Sequence, residues 1–240
     1  DGDRPLLSDE RGQWLRGEVV GILCARYLGS SWVVTPVSSN SAVEKCGWFK
    51  RIDRTRIGSP YVIAAMQAAL SEGGQGVVGY EANGGFLIGD QLESEGRILE
   101  PLPTRDAVMP ILSVLILASE WRLPVSELLS RLPLRFTSSD RLKDFPTALS
   151  QAHIRALAEG GPEQRQAAIE SQFGAHFGQV SELDDTDGLR ITFNSDEVVH
   201  LRPSGNAPEL RCYNEAASAA RAEEMNRICM EILDGWRGTA

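Results

Sequence analysis

The sequence predicts an α/β protein, in which a mixed α/β domain with helices on both sheet faces is followed by a smaller α+β domain with an antiparallel sheet. Strand-like and helix-like segments alternate in the first half, and crossover connections of this kind place helices on both faces of a sheet. In the second half, short strands are joined by turn residues, as in antiparallel hairpins. Leu132-Pro133 ends a helix, so we predict domains at 1–132 and 133–240.

Hydrophobic spacing and turn residues give the elements of the first half. In chain order we predict a short strand at 4–8, a helix at 14–28, a strand at 31–36, a short helix at 40–46, a helix at 60–70, a strand at 76–80, a long helix at 104–121 and a shorter one at 123–132. The helix at 60–70 begins with a proline, whose missing amide is not needed in a first turn. Thr104 can cap the long helix, while Pro110 inside it bends the helix or moves its start later.

The second half contains shorter elements. In chain order we predict a strand at 134–137, a helix at 147–159, a helix from the Gly160-Gly161-Pro162 break to Phe173, strands at 180–183, 189–193, 197–201 and 210–213, and a final helix at 217–236. The final helix carries its apolar residues along one stripe, so it covers a sheet face with that stripe.

Charge and composition restrict the classes of partner. The 33 acidic and 24 basic side chains give a net charge of -9, which argues against nucleic acid or an anionic membrane as the main partner. The longest apolar run, 111–118, is too short to span a bilayer, and the N-terminus has no signal-peptide pattern. The four cysteines lack metal-ligand spacing, so we expect reduced thiols and a cytoplasmic protein.

Residues 202–211, Arg-Pro-Ser-Gly-Asn-Ala-Pro-Glu-Leu-Arg, combine fixed cations with a hydroxyl and a glycine. Arg202 and Arg211 offer planar sets of donors to phosphate oxygens, and Ser204 adds a hydroxyl. Gly205 lets backbone amides approach an anion. An ordinary Pro/Gly-rich turn with an arginine at each end is the alternative. Because predicted strands flank the segment, we interpret it as a phosphate-binding segment, the phosphate loop.

Residues 79–86, Gly-Tyr-Glu-Ala-Asn-Gly-Gly-Phe, follow a predicted strand and suit a polyol ligand. Glu81 can accept hydrogen bonds from two hydroxyls, and Asn83 can both donate and accept. The glycines, Gly84 among them, leave space for a sugar ring. A glycine-rich hairpin turn with solvated polar side chains is the alternative. We interpret this segment as a hydroxyl-binding segment, the sugar loop.

The chain begins Asp1-Gly2-Asp3-Arg4, with two alternating carboxylates. Oxygen ligands of this kind suit a hard cation such as Mg²⁺, so Asp1 and Asp3 are candidate metal ligands. A frayed acidic terminus is the alternative.

Taken in order, these three segments resemble those of the α-D-phosphohexomutase family, which includes phosphomannomutases, phosphoglucomutases and phosphoglucosamine mutases. That family has a metal loop of pattern D-x-D-x-D-R, then a sugar loop similar to G-E-x-S-G-H, then a phosphate loop similar to R-P-S-G-T-E-P-x-x-R. The resemblance assigns Asn206 to the phosphate loop and Arg4 to the end of the metal loop. It also matches Arg56, in Arg54-Thr55-Arg56-Ile57-Gly58, to a basic residue near the family's active site.

Departures from the family patterns bear on the choice of sugar. Asn83 stands where serine is common, and Gly85 where histidine is common. Asn206-Ala207 replaces the usual Thr-Glu, although asparagine still offers hydrogen-bonding groups.

The resemblance implies that the chain is the C-terminal half, the third and fourth domains, of a phosphohexomutase, most of all a phosphomannomutase. Such an enzyme interconverts hexose 1-phosphate and hexose 6-phosphate through a hexose 1,6-bisphosphate, with Mg²⁺ and a phosphoserine that lies outside this chain. The implied partners are the hexose phosphate and the N-terminal domains, and the isolated chain is expected to be inactive. Two alternatives remain: a non-catalytic sugar-phosphate-binding module, and a mutase specific for glucose or (N-acetyl)glucosamine phosphates.

Overall fold

The computed structural model describes residues 2–94 and 96–238, with only the backbone of Ser94 described. Two compact units divide the chain, one ending at Leu134 and the other beginning at Arg135. Each unit has a hydrophobic core of its own.

The first unit contains an open mixed sheet and helices. Its helices and strands are α1 (Gly17–Tyr27), β1 (Trp32–Pro36), α2 (Ala42–Lys45), β2 (Arg51–Thr55), α3 (Ser59–Ser71), β3 (Val77–Tyr80), β4 (Phe86–Ile88), β5 (Leu92–Ser94), β6 (Arg97–Leu99), β7 (Leu102–Asp106), α4 (Val108–Trp121) and α5 (Val125–Leu128). The sheet order is β2-β1-β3-β4-β7, while β5 and β6 form a separate hairpin.

Parallel and antiparallel pairing coexist in this sheet. Strand β1 is parallel to β2 and β3, whereas β4 is antiparallel to β3 and β7. Side chains of α3 pack with Val34 and Leu87 on one face, and those of α1 and α4 pack with Val33 and Phe86 on the other. The predicted fold class of the first unit, with helices on both sheet faces, is therefore confirmed.

Two predictions for the first unit were wrong. Residues 4–8 form no strand; in the described chain this region contributes a single bridge, between Ser8 and Trp14. The helix predicted from Thr104 begins at Val108, because Thr104 belongs to β7. At the start of the helix, Oδ1 of Asp106 accepts from the amide of Val108 at 2.7 Å. Pro110 thus lies in the first turn of α4, where proline is tolerated.

The second unit is an antiparallel sheet with helices on one face. Its elements are β8 (Phe136–Lys143), α6 (Thr147–Ala158), α7 (Pro162–Phe177), β9 (Val180–Asp184), β10 (Leu189–Phe193), β11 (Val198–Pro203), β12 (Glu209–Ala216) and α8 (Ala219–Gly235). The sheet order is β8-β12-β11-β10-β9, and every neighbouring pair is antiparallel. This arrangement confirms the predicted α+β class. Strand β8 begins two residues later than predicted and is longer, because it pairs with the whole of β12.

Successive side chains of the second sheet project alternately to a helix-covered face and to an open face. Leu201, Leu210 and Cys212 pack in the core with side chains of α6, α7 and α8. Their neighbours in sequence, including Arg202 and Arg211, therefore project from the opposite face. The phosphate loop joins the two strands that carry these arginines.

The four cysteines are free thiols. Within the described ranges, no single helix is long and apolar enough to cross a membrane. The helix α4 and the segment Val125–Arg131 together have the length and apolar composition of a membrane span, but the chain bends by 86° between them.

Candidate functional site

The phosphate loop forms the turn of the β11–β12 hairpin. Arg202 lies directly opposite Arg211 in the ladder, so both guanidinium groups project from the open face. Between them, Ser204 is buried, and its amide donates to the carbonyl of Glu209 at 2.8 Å. The hairpin thus brings together the two predicted phosphate-binding arginines and places Ser204 at the base of the turn.

Arg202 is oriented by a residue that sequence reasoning missed. Its Nε donates to Oδ2 of Asp187 at 2.9 Å, and both side chains are largely buried. The next residue, Gly188, has φ +86°, and a Cβ there would collide with the carbonyl of Leu201 and lie 3.1 Å from Cα of Arg202. Glycine therefore lets the loop that carries Asp187 lie against β11.

His200 anchors the same loop. Its Nε2 donates to the carbonyl of Asp187 at 2.7 Å, while its ring stacks on Tyr213 with centroids 5.4 Å apart. Burial, the main cause, lowers the pKa of His200 from 6.5 to about 4, and the nearby charges of Arg190 and Arg202 act in the same direction. A neutral His200 thus holds Asp187 in place, which in turn orients Arg202.

This geometry predicts a specific pH dependence of stability. Because the pKa of His200 is lowered in the folded state, the unfolded chain takes up a proton first as the pH falls from about 6.5 to 4. We expect the second unit to lose as much as about 3 kcal/mol of stability over that window. Hydrogen exchange of the second sheet, corrected for intrinsic rates, measures this loss.

The substitution His200→Gln should remove the part of the pH dependence of stability that protonation of His200 causes. His176→Gln is the matched control, because it removes one histidine at an exposed position of α7. Equal slopes in the wild type and His200→Gln would contradict the assignment.

Arg211 is held less tightly than Arg202. Its Nη2 lies 3.3 Å from Oε2 of Glu209, and its Nε is buried without a hydrogen-bond partner among the described residues. Burial acts to lower the pKa of Arg211, but contacts with Tyr213 and Glu209 outweigh burial and raise it above its ordinary value. The guanidinium therefore stays charged.

The two other predicted members of the phosphate loop are exposed. Gly205 has open space around the position of a Cβ, so local packing does not require glycine there. The amide of Asn206 makes a long contact of 3.5 Å with Oγ of Ser204. The side chain of Asn206 lies at the surface of the turn.

The sugar loop is a tight turn between β3 and β4. The amide of Glu81 donates to the carbonyl of Gly85 at 3.0 Å, and the amide of Gly84 donates to the carbonyl of Glu81 at 2.8 Å. Oδ1 of Asn83 accepts from the amide of Gly85 at 2.9 Å. Asn83 thus uses its carbonyl to shape the turn and exposes its side chain at the surface.

Two glycines fit the sugar loop against the start of α1. Gly84 has φ +86°, and a Cβ on it would lie 2.7 Å from Cγ of Pro5. A Cβ on Gly17 would lie within 2.6 Å of three backbone atoms, which belong to Ala82, Asn83 and Gly84. The position of the sugar loop therefore depends on close backbone contact with the helix.

Arg105, which was not predicted, links the sugar loop to the N-terminal segment. Its Nη1 donates to Oε2 of Glu81 at 3.4 Å, and its Nη2 lies 2.5 Å from Oδ2 of Asp3. Gly85 makes room for it, because a Cβ there would lie 2.8 Å from Cδ of Arg105. Glu81 is mostly buried beneath this contact. Strand pairing across β7 and β4, which the sequence did not reveal, places Arg105 here.

The N-terminal carboxylates fit a metal site only in part. Asp1 lies outside the described residues, while Oδ1 of Asp3 is buried and has no hydrogen-bond partner among the residues described. A buried carboxylate oxygen without a hydrogen-bond partner can serve as one ligand of a cation. Among the described residues, those of the N-terminal segment included, there is no group of three or more histidine, cysteine or carboxylate side chains that could hold a metal.

Arg4 is exposed next to Asp3 in sequence. Arg54 and Arg56, both near the end of β2, have different environments. Arg54 pairs with Glu44 at 2.7 Å and donates to three backbone carbonyls, so it stabilises the fold. Arg56 is exposed, with its guanidinium carbon 4.9 Å from the ring centroid of Tyr61. Of the two, Arg56 is the one available to a ligand.

Comparison with known domain families accounts for both units. The family described as phosphoglucomutase/phosphomannomutase, alpha/beta/alpha domain III, matches residues 16–136, and the family's C-terminal domain matches residues 151–233. The chain belongs to the phosphoglucomutase/phosphomannomutase family. The matched parts are the third and the C-terminal domains of that family, and its named members are mutases.

Two similar curated relatives of the family are phosphomannomutases. The Salmonella muenchen protein is 45% identical over 218 residues, which is 91% of this chain and 44% of that protein. The Sinorhizobium fredii protein is 43% identical over 234 residues, which is 98% of this chain and 48% of that protein. The chain therefore spans about half the length of the curated relatives it matches.

A solved structure shares the fold of the chain. The Aspergillus fumigatus N-acetylphosphoglucosamine mutase, in complex with GlcNAc-6P and magnesium, aligns with a TM-score of 0.63 and 18% sequence identity. The alignment covers 97% of this chain and 50% of that protein.

Proposed function

We propose that this chain supplies the third and fourth domains of a phosphomannomutase, an isomerase that interconverts mannose 1-phosphate and mannose 6-phosphate. The observation that carries the proposal is the hairpin of the phosphate loop, in which Arg202 and Arg211 face each other across the ladder above a buried Ser204. Two guanidinium groups on one face and a hydroxyl are the donors that a phosphate monoester needs. The two phosphomannomutase relatives favour mannose as the sugar.

In the proposed reaction, a phosphoserine outside this chain transfers its phosphoryl group to the free hydroxyl of a hexose 1-phosphate. The resulting hexose 1,6-bisphosphate reorients and returns its other phosphoryl group to the serine, which releases hexose 6-phosphate. Arg202, Ser204, Gly205, Asn206 and Arg211 would bind the phosphate that is not being transferred. The task of these residues is positioning and charge neutralisation.

The sugar loop would recognise ring hydroxyls. Glu81 would accept hydrogen bonds from them, and the exposed amide of Asn83 would donate, while Gly84 keeps the turn against α1. Arg105 would fix the orientation of the Glu81 carboxylate, since its guanidinium contacts that carboxylate. Arg4 and Arg56 would face the reacting phosphoryl group with positive charge.

Magnesium is part of the proposal. Asp3 would provide one ligand through its buried Oδ1, and Asp1 would provide another. When bound, Mg²⁺ supplies positive charge that offsets the developing charge on the transferred phosphoryl group. The A. fumigatus relative, solved with magnesium, supports this assignment for the family.

An assay of the protein that contains this chain together with its N-terminal domains tests the proposal. With mannose 1-phosphate, Mg²⁺ and a hexose 1,6-bisphosphate activator, we expect mannose 6-phosphate to form, and we expect the 240-residue chain alone to be inactive. Glucose and (N-acetyl)glucosamine 1-phosphates serve as comparison substrates. Faster turnover of one of them would correct the sugar, whereas no product from any would favour a non-catalytic sugar-phosphate-binding module.

A further inference from the structure

A third arginine lies in register with the two arginines of the phosphate loop. Arg211 in β12 pairs with Arg202 in β11 on one side and with Arg141 in β8 on the other. Directly opposed residues of antiparallel strands project from the same sheet face. The three guanidinium groups therefore form one row across the open face of the second sheet. Arg141 lies far from the phosphate loop in sequence, so no local motif includes it.

A pocket of about 360 Å³ lies at the end of this row. Its lining residues are Ser139, Asp140, Arg141, Arg211 and Tyr213. Ser139 and Tyr213 are directly opposed in the same ladder, so their hydroxyl groups face the same side as the two arginines. Two guanidinium groups and two hydroxyls are donors to phosphate oxygens.

Glu209 holds both arginines of this pocket. Its Oε1 lies 3.4 Å from Nε of Arg141, and its Oε2 lies 3.3 Å from Nη2 of Arg211. Both distances are beyond those of a short charge-assisted hydrogen bond, which is about 2.7 to 2.9 Å. At these distances a phosphate group, with more oxygens and more charge, can compete with the carboxylate of Glu209 for the two guanidinium groups.

We propose that Arg141 is a third phosphate-binding arginine and that Glu209 is an internal competitor which the phosphate group of the substrate displaces. This inference rests on the proposed function of the phosphate loop. In the absence of phosphate, Glu209 neutralises Arg141 and Arg211. When phosphate binds, the two guanidinium groups exchange the carboxylate for phosphate oxygens, and Glu209 turns away.

Substitution of the two partners should change affinity in opposite directions. Calorimetric titration of the 240-residue chain with inorganic phosphate and with mannose 6-phosphate measures both effects. Arg141 is half exposed, so solvent screens its contribution, and we expect Arg141→Gln to weaken binding about fivefold. Glu209→Gln should strengthen binding about threefold, because the competing charge is removed. Arg141→Lys, which keeps the charge but not the planar set of donors, should lie between the wild type and Arg141→Gln.

Arg227→Gln is the matched control, because Arg227 is an exposed arginine of α8 on the helix-covered side. The proposal is overturned if Arg141→Gln binds phosphate as the control does, or if Glu209→Gln binds no tighter than the wild type. In either case, loss of binding in Arg211→Gln would leave the proposed function of the phosphate loop intact. If the wild type binds neither ligand, both the inference and the phosphate loop assignment fail. Mannose without phosphate shows whether binding depends on the phosphate group.

Discussion

Replacement of Gly17 by alanine is expected to destabilise the first unit by more than about 3 kcal/mol. The new Cβ would lie within 2.6 Å of the backbone of Ala82, Asn83 and Gly84. Backbone atoms cannot rotate away as the end of a flexible side chain can. Gly17 is the first residue of α1, so relief requires the helix start or the sugar loop to move. The close approach of α1 to the sugar loop therefore leaves no room for a side chain at position 17.

Urea unfolding measures the loss of stability in Gly17→Ala, with Gly235→Ala as the control variant. Gly235 ends α8, has open space around its Cβ position and is not in a left-handed conformation. Alanine there should change stability by no more than about 1 kcal/mol, in the stabilising direction that helix propensity favours. A loss below about 1 kcal/mol in Gly17→Ala would show that the sugar loop is not held by this contact.

Replacement of Arg211 by glutamine should weaken the binding of phosphate-bearing ligands at least about tenfold, because a hydrogen bond to a charged group contributes about 1.5 to 3 kcal/mol. Arg211 projects from the open face, keeps its charge and has an unpartnered Nε. Its carboxylate neighbour is Glu209, at a distance of 3.3 Å. Substitution therefore removes a ligand contact without leaving a tightly paired charge behind.

Arg202 should behave differently. Its partner Asp187 is largely buried, so Arg202→Gln removes a phosphate contact and also leaves a buried carboxylate without its cation. We expect both weaker phosphate binding and lower stability in that variant, but only weaker binding in Arg211→Gln. Arg155→Gln, at an exposed position of α6, controls for the loss of one positive charge. Unchanged affinity in Arg211→Gln would contradict the assignment.

Much of the fold follows from local sequence patterns. Continuous apolar runs predicted β1 and β3, and turn residues between short strands predicted the antiparallel second sheet. The wrong predictions have physical causes. Residues 4–8 have the composition of a strand but find no strand to pair with beyond the bridge at Ser8. Strands β4 to β7 escaped prediction because they are short and β6 and β7 are mostly exposed, which hides the alternation of apolar and polar residues.

The candidate site was predictable where its residues lie in one segment. The phosphate loop and the sugar loop are such segments, and each forms a turn between two strands. Asp187, Arg105 and Arg141 were not predicted, because strand register and loop packing bring them to the loops from distant positions. No pattern within a single segment encodes a contact of this kind.

Amide NMR maps the ligand contacts directly while mannose 6-phosphate is added to the 240-residue chain. We predict that the amide signals of residues 202–211 shift and saturate as mannose 6-phosphate is added. Inorganic phosphate should shift only the signals of residues 202–211. Shifts by mannose 6-phosphate that leave residues 202–211 unchanged would contradict the claim that this hairpin binds the phosphate of the substrate.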